Sequence, residues 1–440
     1  MISSSMALSS PVSVFQLCML LFSFLFSASS SARLNPTIDS LSLSFPLTSL
    51  PLSTAKPLNS NPNLRTLSSS SSYNIKSSFK YSMALVVTLP IGTPPQHQQM
   101  VLDTGSQLSW IQCHNKTPPT ASFDPSLSSS FYVLPCTHPL CKPRVPDFTL
   151  PTTCDQNRLC HYSYFYADGT YAEGNLVREK LTFSPSQSTP PLILGCATES
   201  SDARGILGMN LGRLSFPSQA KVTKFSYCVP NRQAANSNNL PTGSFYLGNN
   251  PNSARFGYVS MLTFPQSQRM PNLDPLAYTV PMQGIRVGGK KLNIPPSVFR
   301  PNAGGSGQTM VDSGSEFTFL VDAAYDTVRE EVIRVVGPRV KKGYVYGGVA
   351  DMCFDGNAME IGRLIGDVAF EFEKGVEIVV PKERVLADVG GGVHCVGIGR
   401  SERLGAASNI IGNFHQQNLW VEFDLANSRI GFGVADCSRS

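Results

Sequence analysis

Along most of this chain, apolar residues come in short runs closed by Gly, Pro, Ser, Asn or Asp, the pattern of strands joined by turns. Two of the runs end alike, VLDTGS at 101–106 and MVDSGS at 310–315. About a hundred residues after each comes a second shared element, Ile206-Leu207-Gly208 and Ile410-Ile411-Gly412. Amphipathic helical spacing is scarce. Its best instance predicts a surface helix from Asp322 to Val336, with Ala323, Tyr325, Val328, Val332 and Val335 on one face and no part in chemistry. Tyr166-Ala167-Asp168-Gly169-Thr170 lies between strand-like runs as a hairpin tip would, and the Gly-rich stretches 304–307 and 389–392 read as hairpin loops.

One Asp-(Ser/Thr)-Gly triplet would mean little, since such triplets mostly cap turns. By average composition only about 0.2 chance copies are expected in a chain this long. Two copies, each behind a β-type run and each followed by Ile-(Leu/Ile)-Gly, therefore read as a duplicated lobe that brings Asp103 and Asp312 to one interface. Two facing carboxylates cannot both ionise freely, so they share a proton and titrate together. The ionised partner can take a proton from water while the protonated one polarises a carbonyl, which is amide hydrolysis without a covalent intermediate. Gly105 and Gly314 permit close backbone approach, and Thr104, Ser106, Ser313 and Ser315 supply hydroxyls to fix the carboxylate oxygens. A bell-shaped rate profile with an acid optimum follows from a pair that works only when singly protonated.

Composition changes the picture mainly at the N-terminus. Residues 1–30 carry the apolar run VFQLCMLLFSFLF followed by small residues, which predicts a signal peptide; without Lys or Arg ahead of that run, a chloroplast transit peptide is the rival reading. Residues 31–80 form a Ser/Pro-rich basic leader, with Arg33, Lys56, Arg65, Lys76 and Lys80 against Asp39 alone. It reads as a removable propeptide or as a disordered linker. These charges account for most of the net +5, so the body is nearly neutral and lacks the basic patch that nucleic acid would require. The pairs Lys290-Lys291 and Lys341-Lys342 are expected in solvated loops. Charged residues are only 15%, against 35 Gly and 33 Pro, and the length suffices for two β-rich lobes at 81–255 and 256–440.

Of eleven cysteines, Cys18 lies in the signal and an even ten remain, which suits an oxidising compartment. No CxxC pair occurs and the six histidines are scattered, so no metal or cofactor is expected. Asn115 heads the single glycosylation sequon. The nucleophile elbow, the zinc-protease helix and the phosphate loop are absent, and the polar C-terminal end gives no expectation of a lipid anchor.

The chain resembles the pepsin-type (family A1) aspartic proteases, and among them the atypical, nucellin-like plant group that includes the promotion-of-cell-survival proteinases. The matching segments are LPIGTPPQ at 89–96, DTGSQLSW at 103–110, YADGT at 166–170, GILGMNLGRLSF at 205–216, DSGSEFTF at 312–319 and NIIGNFHQQNLWVEFD at 409–424. The resemblance implies an all-β fold with a few short helices, two barrel-like lobes around a cleft, and one catalytic Asp from each lobe. It implies that Tyr166 is the tyrosine of a flap over the cleft, bonded by the indole of Trp110, with Ala167 where the family often has Gly. It implies the pairings Cys113 with Cys196, Cys136 with Cys160, Cys141 with Cys154, Cys228 with Cys437 and Cys353 with Cys395, although spacing alone fixes none of them. A Lys of the leader, Lys76 or Lys80, could sit on the dyad in a zymogen, as in the wider family. The expected activity is that of an aspartic endopeptidase acting as a monomer on peptide or protein substrates, without a stable membrane span, in the secretory pathway, apoplast or endoplasmic reticulum. The alternative is an inactive binding or inhibitor protein of the same architecture, against which both complete motifs argue.

Overall fold

The runs around the two motifs fold into the same strand arrangement twice. In the computed structural model, which describes residues 42–51, 83–113, 122–142, 151–202, 204–232, 242–265 and 270–439, Gln96–Asp103 runs parallel to Gly205–Gly208. Residue Ile206 pairs antiparallel with Trp110, and Trp110–Gln112 runs parallel to Leu192–Ser200. Likewise, Thr309–Val311 runs parallel to Asn409–Ile411, Ile410 pairs antiparallel with Phe319, and Thr318–Leu320 runs parallel to Ile398–Arg400. The duplicated sequence is thus a duplicated register. Parallel pairing needs long crossovers, which is why the Asp and Ile-(Leu/Ile)-Gly elements stand so far apart in sequence.

All described residues belong to one compact unit, Ile38–Ser440. Most strands of the first lobe join a 15-stranded sheet that continues into Lys224–Cys228, Leu419–Asp424, Arg429–Val434 and Gly257–Ser260. There Phe225 stacks on Phe423 at 4.7 Å between ring centroids, inside one large apolar cluster that runs from Leu85 and Leu102 to Val311 and Ile411. Burial of this kind, at roughly 1.5–3 kcal/mol per large side chain, holds the two halves against each other. The strands form several sheets, and among the described residues none closes into a barrel.

The leader is not wholly separate from the fold. Leu43–Pro51, inside the expected 31–80 segment, is a strand paired with Thr242–Leu247 on one side and Met83–Ile91 on the other. Its Leu47 is fully buried, and Phe45 packs near Phe183 and Phe245. The signal segment, Cys18, Lys76, Lys80 and Asn115 lie outside the described residues.

The helix Asp322–Val336 forms over the expected span, with Asp322 in the first turn and Gly337 ending it at φ +69°. Its buried face is Ala324, Tyr325, Val328, Glu331, Val332 and Val336, so Ala324 rather than Ala323 faces inward. The Gly-rich stretch 389–392 does join two antiparallel strands, Leu386–Asp388 and Val393–Val396. The stretch 304–307 does not: it lies in a turn closed by Asn302 and Ser306 that leads from a 3-10 turn into Thr309–Val311. Lys290 and Lys291 form a short edge strand and pair with Glu331 at 2.6 Å and Glu371 at 2.7 Å, and Lys341 pairs with Asp355 at 2.7 Å. Among the described residues no helix is long and apolar enough to cross a membrane.

Five disulfides are present, and Cys113–Cys196, Cys228–Cys437 and Cys353–Cys395 pair as the resemblance implied. The other two are exchanged: Cys136 bonds Cys154 and Cys141 bonds Cys160. The cause is local. Leu134 and Cys136 bond the backbone of Cys160 and Arg158, and a turn closed by Cys141 N–H on the His138 carbonyl folds Cys141 back against the cluster that buries Cys160. The exposed Cys154 is left to Cys136.

Candidate active site

Each Asp stands where its strand runs out into a tight turn. The last pair of the first lobe is Asp103 beside Gly208, and in the second lobe the Asp312 N–H bonds the Ile411 carbonyl at 3.1 Å, just before Gly412. A Cβ on Gly208 would run into the Gln107 carbonyl and one on Gly412 into that of Phe317, which explains the glycine that closes each Ile-(Leu/Ile)-Gly element.

The two turns lock to each other. Ser313 Oγ accepts from Thr104 N–H at 3.0 Å, and Thr104 Oγ1 accepts from Ser313 N–H at 2.9 Å. The hydroxyls pass on to the Leu102 carbonyl at 2.7 Å and the Val311 carbonyl at 3.3 Å. Four buried bonds therefore fix the separation of the carboxylates. A Cβ on Gly105 would stand 3.0 Å from Asp312 Oδ1, and one on Gly314 would run into Asp103, so the glycines are needed for closeness.

Within each turn the carboxylate is held the same way. Asp103 accepts from Gly105 N–H at 2.9 Å and from the Ser106 hydroxyl; Asp312 accepts from Gly314 N–H at 2.9 Å and from Ser315 Oγ at 2.6 Å and N–H at 3.1 Å. Both aspartates are 8% exposed. Burial, and then the charge of Asp312, push the Asp103 carboxyl up to about 7, against the opposing pull of the Ser106 and Gly105 hydrogen bonds. Asp168 adds to the rise.

The expected hairpin tip joins Cys160–Phe165 to Tyr171–Glu179, with Tyr166 N–H on the Thr170 carbonyl at 2.9 Å and Gly169 at φ +81°. Asp168 Oδ1 takes the Thr170 N–H and hydroxyl, at 2.9 and 2.7 Å, which stiffens the tip. Trp110 Nε1 donates to Tyr166 Oη at 2.7 Å. Beneath the hairpin lies a cavity of about 290 Å³ that reaches both aspartates; Met83, Val101, Phe165 and Ile206 give it an apolar wall. Tyr164 also lines it, two residues before Tyr166 and so on the same strand face, its ring 5.2 Å from that of Tyr166. The period-two spacing from Tyr166 is the sequence signal for Tyr164. Glu316 and Asn413 are signalled only by directly following the repeated elements, and Arg232 has no local signal.

Among the described residues the one group of potential metal ligands is Cys136, Cys141 and Cys154, which the disulfides already use.

Comparison with known proteins bears on the family and the fold. The family models "Xylanase inhibitor N-terminal" and "Xylanase inhibitor C-terminal" match residues 85–249 and 277–434. The chain is 38% identical to Aspartic proteinase PCS1 of Arabidopsis thaliana over 390 residues, 82% of this chain and 84% of that one. It is 34% identical to Aspartic proteinase nepenthesin-1 of Nepenthes gracilis over 365 residues, 81% and 78% of the two chains. Among solved structures, basic 7S globulin from soybean aligns with a TM-score of 0.57 at 15% identity, covering 90% of this chain and 97% of that one, which bears on the fold alone.

Proposed function

Because the chain belongs to the atypical plant group of pepsin-type aspartic proteases, we propose that it is itself an aspartic endopeptidase, with Asp103 and Asp312 as its catalytic pair. The observation that carries this is the reciprocal Thr104–Ser313 lock, which presents two buried, hydrogen-bonded carboxylates to one cavity. With one proton in the pair, the ionised partner takes a proton from a water held between them, and the protonated partner hydrogen-bonds the scissile carbonyl. Water oxygen adds to the carbonyl carbon as the protonated partner passes its proton to the carbonyl oxygen, which gives a gem-diol and leaves one proton on the pair. That proton then goes to the amide nitrogen while the other carboxylate takes a proton from a gem-diol hydroxyl; the C–N bond breaks, a carboxylic acid and an amine leave, and the pair again holds one proton. The Tyr166 hairpin excludes solvent and clamps an extended peptide. The apolar wall favours bulky apolar side chains beside the scissile bond. Both carboxylates come from one chain, which supports a monomer, and the five disulfides support the secretory route.

The names of the two family models favour a second reading, an inactive protein that binds a partner through the same cleft. One experiment separates them. Pepstatin, which mimics the gem-diol, should bind the protein stoichiometrically at acid pH, and unfolded protein substrates should be cut. Asp103→Asn and Asp312→Asn, each nearly isosteric, should lose roughly 10³-fold or more in kcat while keeping the native circular dichroism. A folded wild-type protein that neither binds pepstatin nor cuts peptides would leave the binding-protein reading.

A further inference from the structure

The two turns are near copies, but what stands behind them differs. In the first lobe Asn210 secures the turn, with its N–H on the Ser106 carbonyl at 3.0 Å, and its own Oδ1 takes Gly212 N–H at 2.9 Å. The next residue after DTGS is the neutral Gln107, whose Oε1 takes Leu214 N–H at 3.1 Å. In the second lobe Asn413 takes the equivalent place. Its N–H bonds the Ser315 carbonyl at 2.8 Å, its Nδ2 the Ser313 carbonyl at 2.8 Å, and Phe414 N–H the Glu316 carbonyl at 2.9 Å.

Here the residue after DSGS is charged, and a cation answers it. Arg232, from the segment that follows Lys224–Cys228, donates from Nη1 to Glu316 Oε1 at 2.7 Å and from Nη2 to Asn413 Oδ1. The side chains of Arg232 and Glu316 are 12% and 3% exposed. The other Glu316 oxygen takes the N–H of Met83, a wall residue of the cavity, at 3.3 Å. Arg232 is further fixed by its N–H on Gln417 Oε1 at 2.8 Å and by its position 5.7 Å above the Phe414 ring. His415, whose Nδ1 bonds the Thr318 hydroxyl at 2.7 Å, is kept neutral by burial and by the Arg232 charge, its pKa pulled down to about 3.

A buried ion pair is poor evidence of a stabilising purpose, because apolar residues of similar shape do as well or better. This one spends both forks of a guanidinium on the residue after the Asp312 turn and on the amide that carries that turn. We propose that Arg232, through Glu316 and Asn413, is a positioning residue for Asp312, holding the second carboxylate at the separation that hydrolysis requires. The inference rests on the endopeptidase reading. Arg232 does not line the cavity, and a Gln at 316 keeps an oxygen for the N–H of the wall residue Met83, so the effect falls on turnover and not on substrate binding.

The test uses the double variant Arg232→Met/Glu316→Gln, which leaves no unpaired buried charge and so remains foldable where Arg232→Met alone fails. The expected result, in protein with native circular dichroism and with active sites counted by pepstatin, is a kcat lower by roughly 10- to 100-fold, the cost of a small misplacement of a reacting group. KM should stay within about twofold of wild type. A kcat within twofold of wild type, or a loss carried by KM, overturns the proposal. Wild-type protein without hydrolysis or pepstatin binding would instead count against the activity itself.

Discussion

At the scale of single residues, the two aspartates are alike in sequence, and their surroundings set the pH response. The Asp103 carboxyl sits at about 7 because burial and its partner's charge outweigh the donors Ser106 and Gly105. The pair needs one proton, so activity should fall as pH rises through that value and be small at pH 8. Ser106→Ala removes a donor that favours the ionised form. The Asp103 pKa must then rise, and the alkaline limb of kcat/KM should move upward by about one pH unit, the worth of a charge-assisted hydrogen bond. A limb that stays in place or moves to lower pH in a folded variant would refute this account of the tuning. The same group affects stability. A folded-state pKa raised above the unfolded value makes the native state bind the extra proton, so this contribution is fully present below about pH 4 and is lost as pH rises through 7. Asp103→Asn should therefore gain on wild type by a few kcal/mol in chemical denaturation at pH 8 and by much less at pH 4. The turn residues that bring Asp103 and Asp312 together were readable in the sequence, because each set lies within four consecutive positions and occurs twice. Arg232 was not, since nothing local ties it to Glu316, 84 residues away.

At the scale of elements, legibility followed the range over which each element is decided. The helix Asp322–Val336 and the Tyr166 hairpin are specified by their own periodicity and turn residues, and both formed over the expected spans. The loop 136–160 was different: four cysteines within one short segment admit three pairings, and the choice falls to a single turn at His138–Cys141. Non-reducing peptide mapping of the mature protein should yield Cys136–Cys154 and Cys141–Cys160, and recovery of Cys136–Cys160 would show that turn to be wrongly placed. The hairpin gives a functional prediction as well. Tyr166→Phe leaves the Trp110 indole N–H without its partner above the cavity. The loss should be about 1–3 kcal/mol of hairpin closure, read as a KM increase of roughly tenfold for peptide substrates. Unchanged KM and kcat in that variant would mean that the hairpin does not close on substrate through this bond.

At the scale of the whole molecule, the strand Leu43–Pro51 joins what the two motifs would otherwise leave apart. It fills the place between Met83–Ile91, which pairs with the Asp103 strand, and Thr242–Leu247, which leads through Lys224–Cys228 to the Leu419–Asp424 strand of the second half. Its alternation of Leu43, Phe45 and Leu47 is that of a strand with one face inward, but it was hidden by the Ser/Pro-rich composition around it. Six residue pairs on one side and five on the other, with Leu47 wholly buried, make this segment part of the folded body. Processing of the leader should then leave it in place, even where the chain is cut between it and Met83. Protein produced without residues 1–51 would carry unpaired backbone along two central strands and lose several kcal/mol of apolar burial. Its melting temperature should fall by about 5 °C, since a chain of this size shifts by roughly 1–1.5 °C per kcal/mol. A synthetic peptide of sequence LSFPLTSLP, added in excess, should restore part of that loss by binding the folded state alone. A scrambled peptide should not. If the truncated protein melts as wild type does and gains nothing from the peptide, the strand is dispensable and the leader is separable after all.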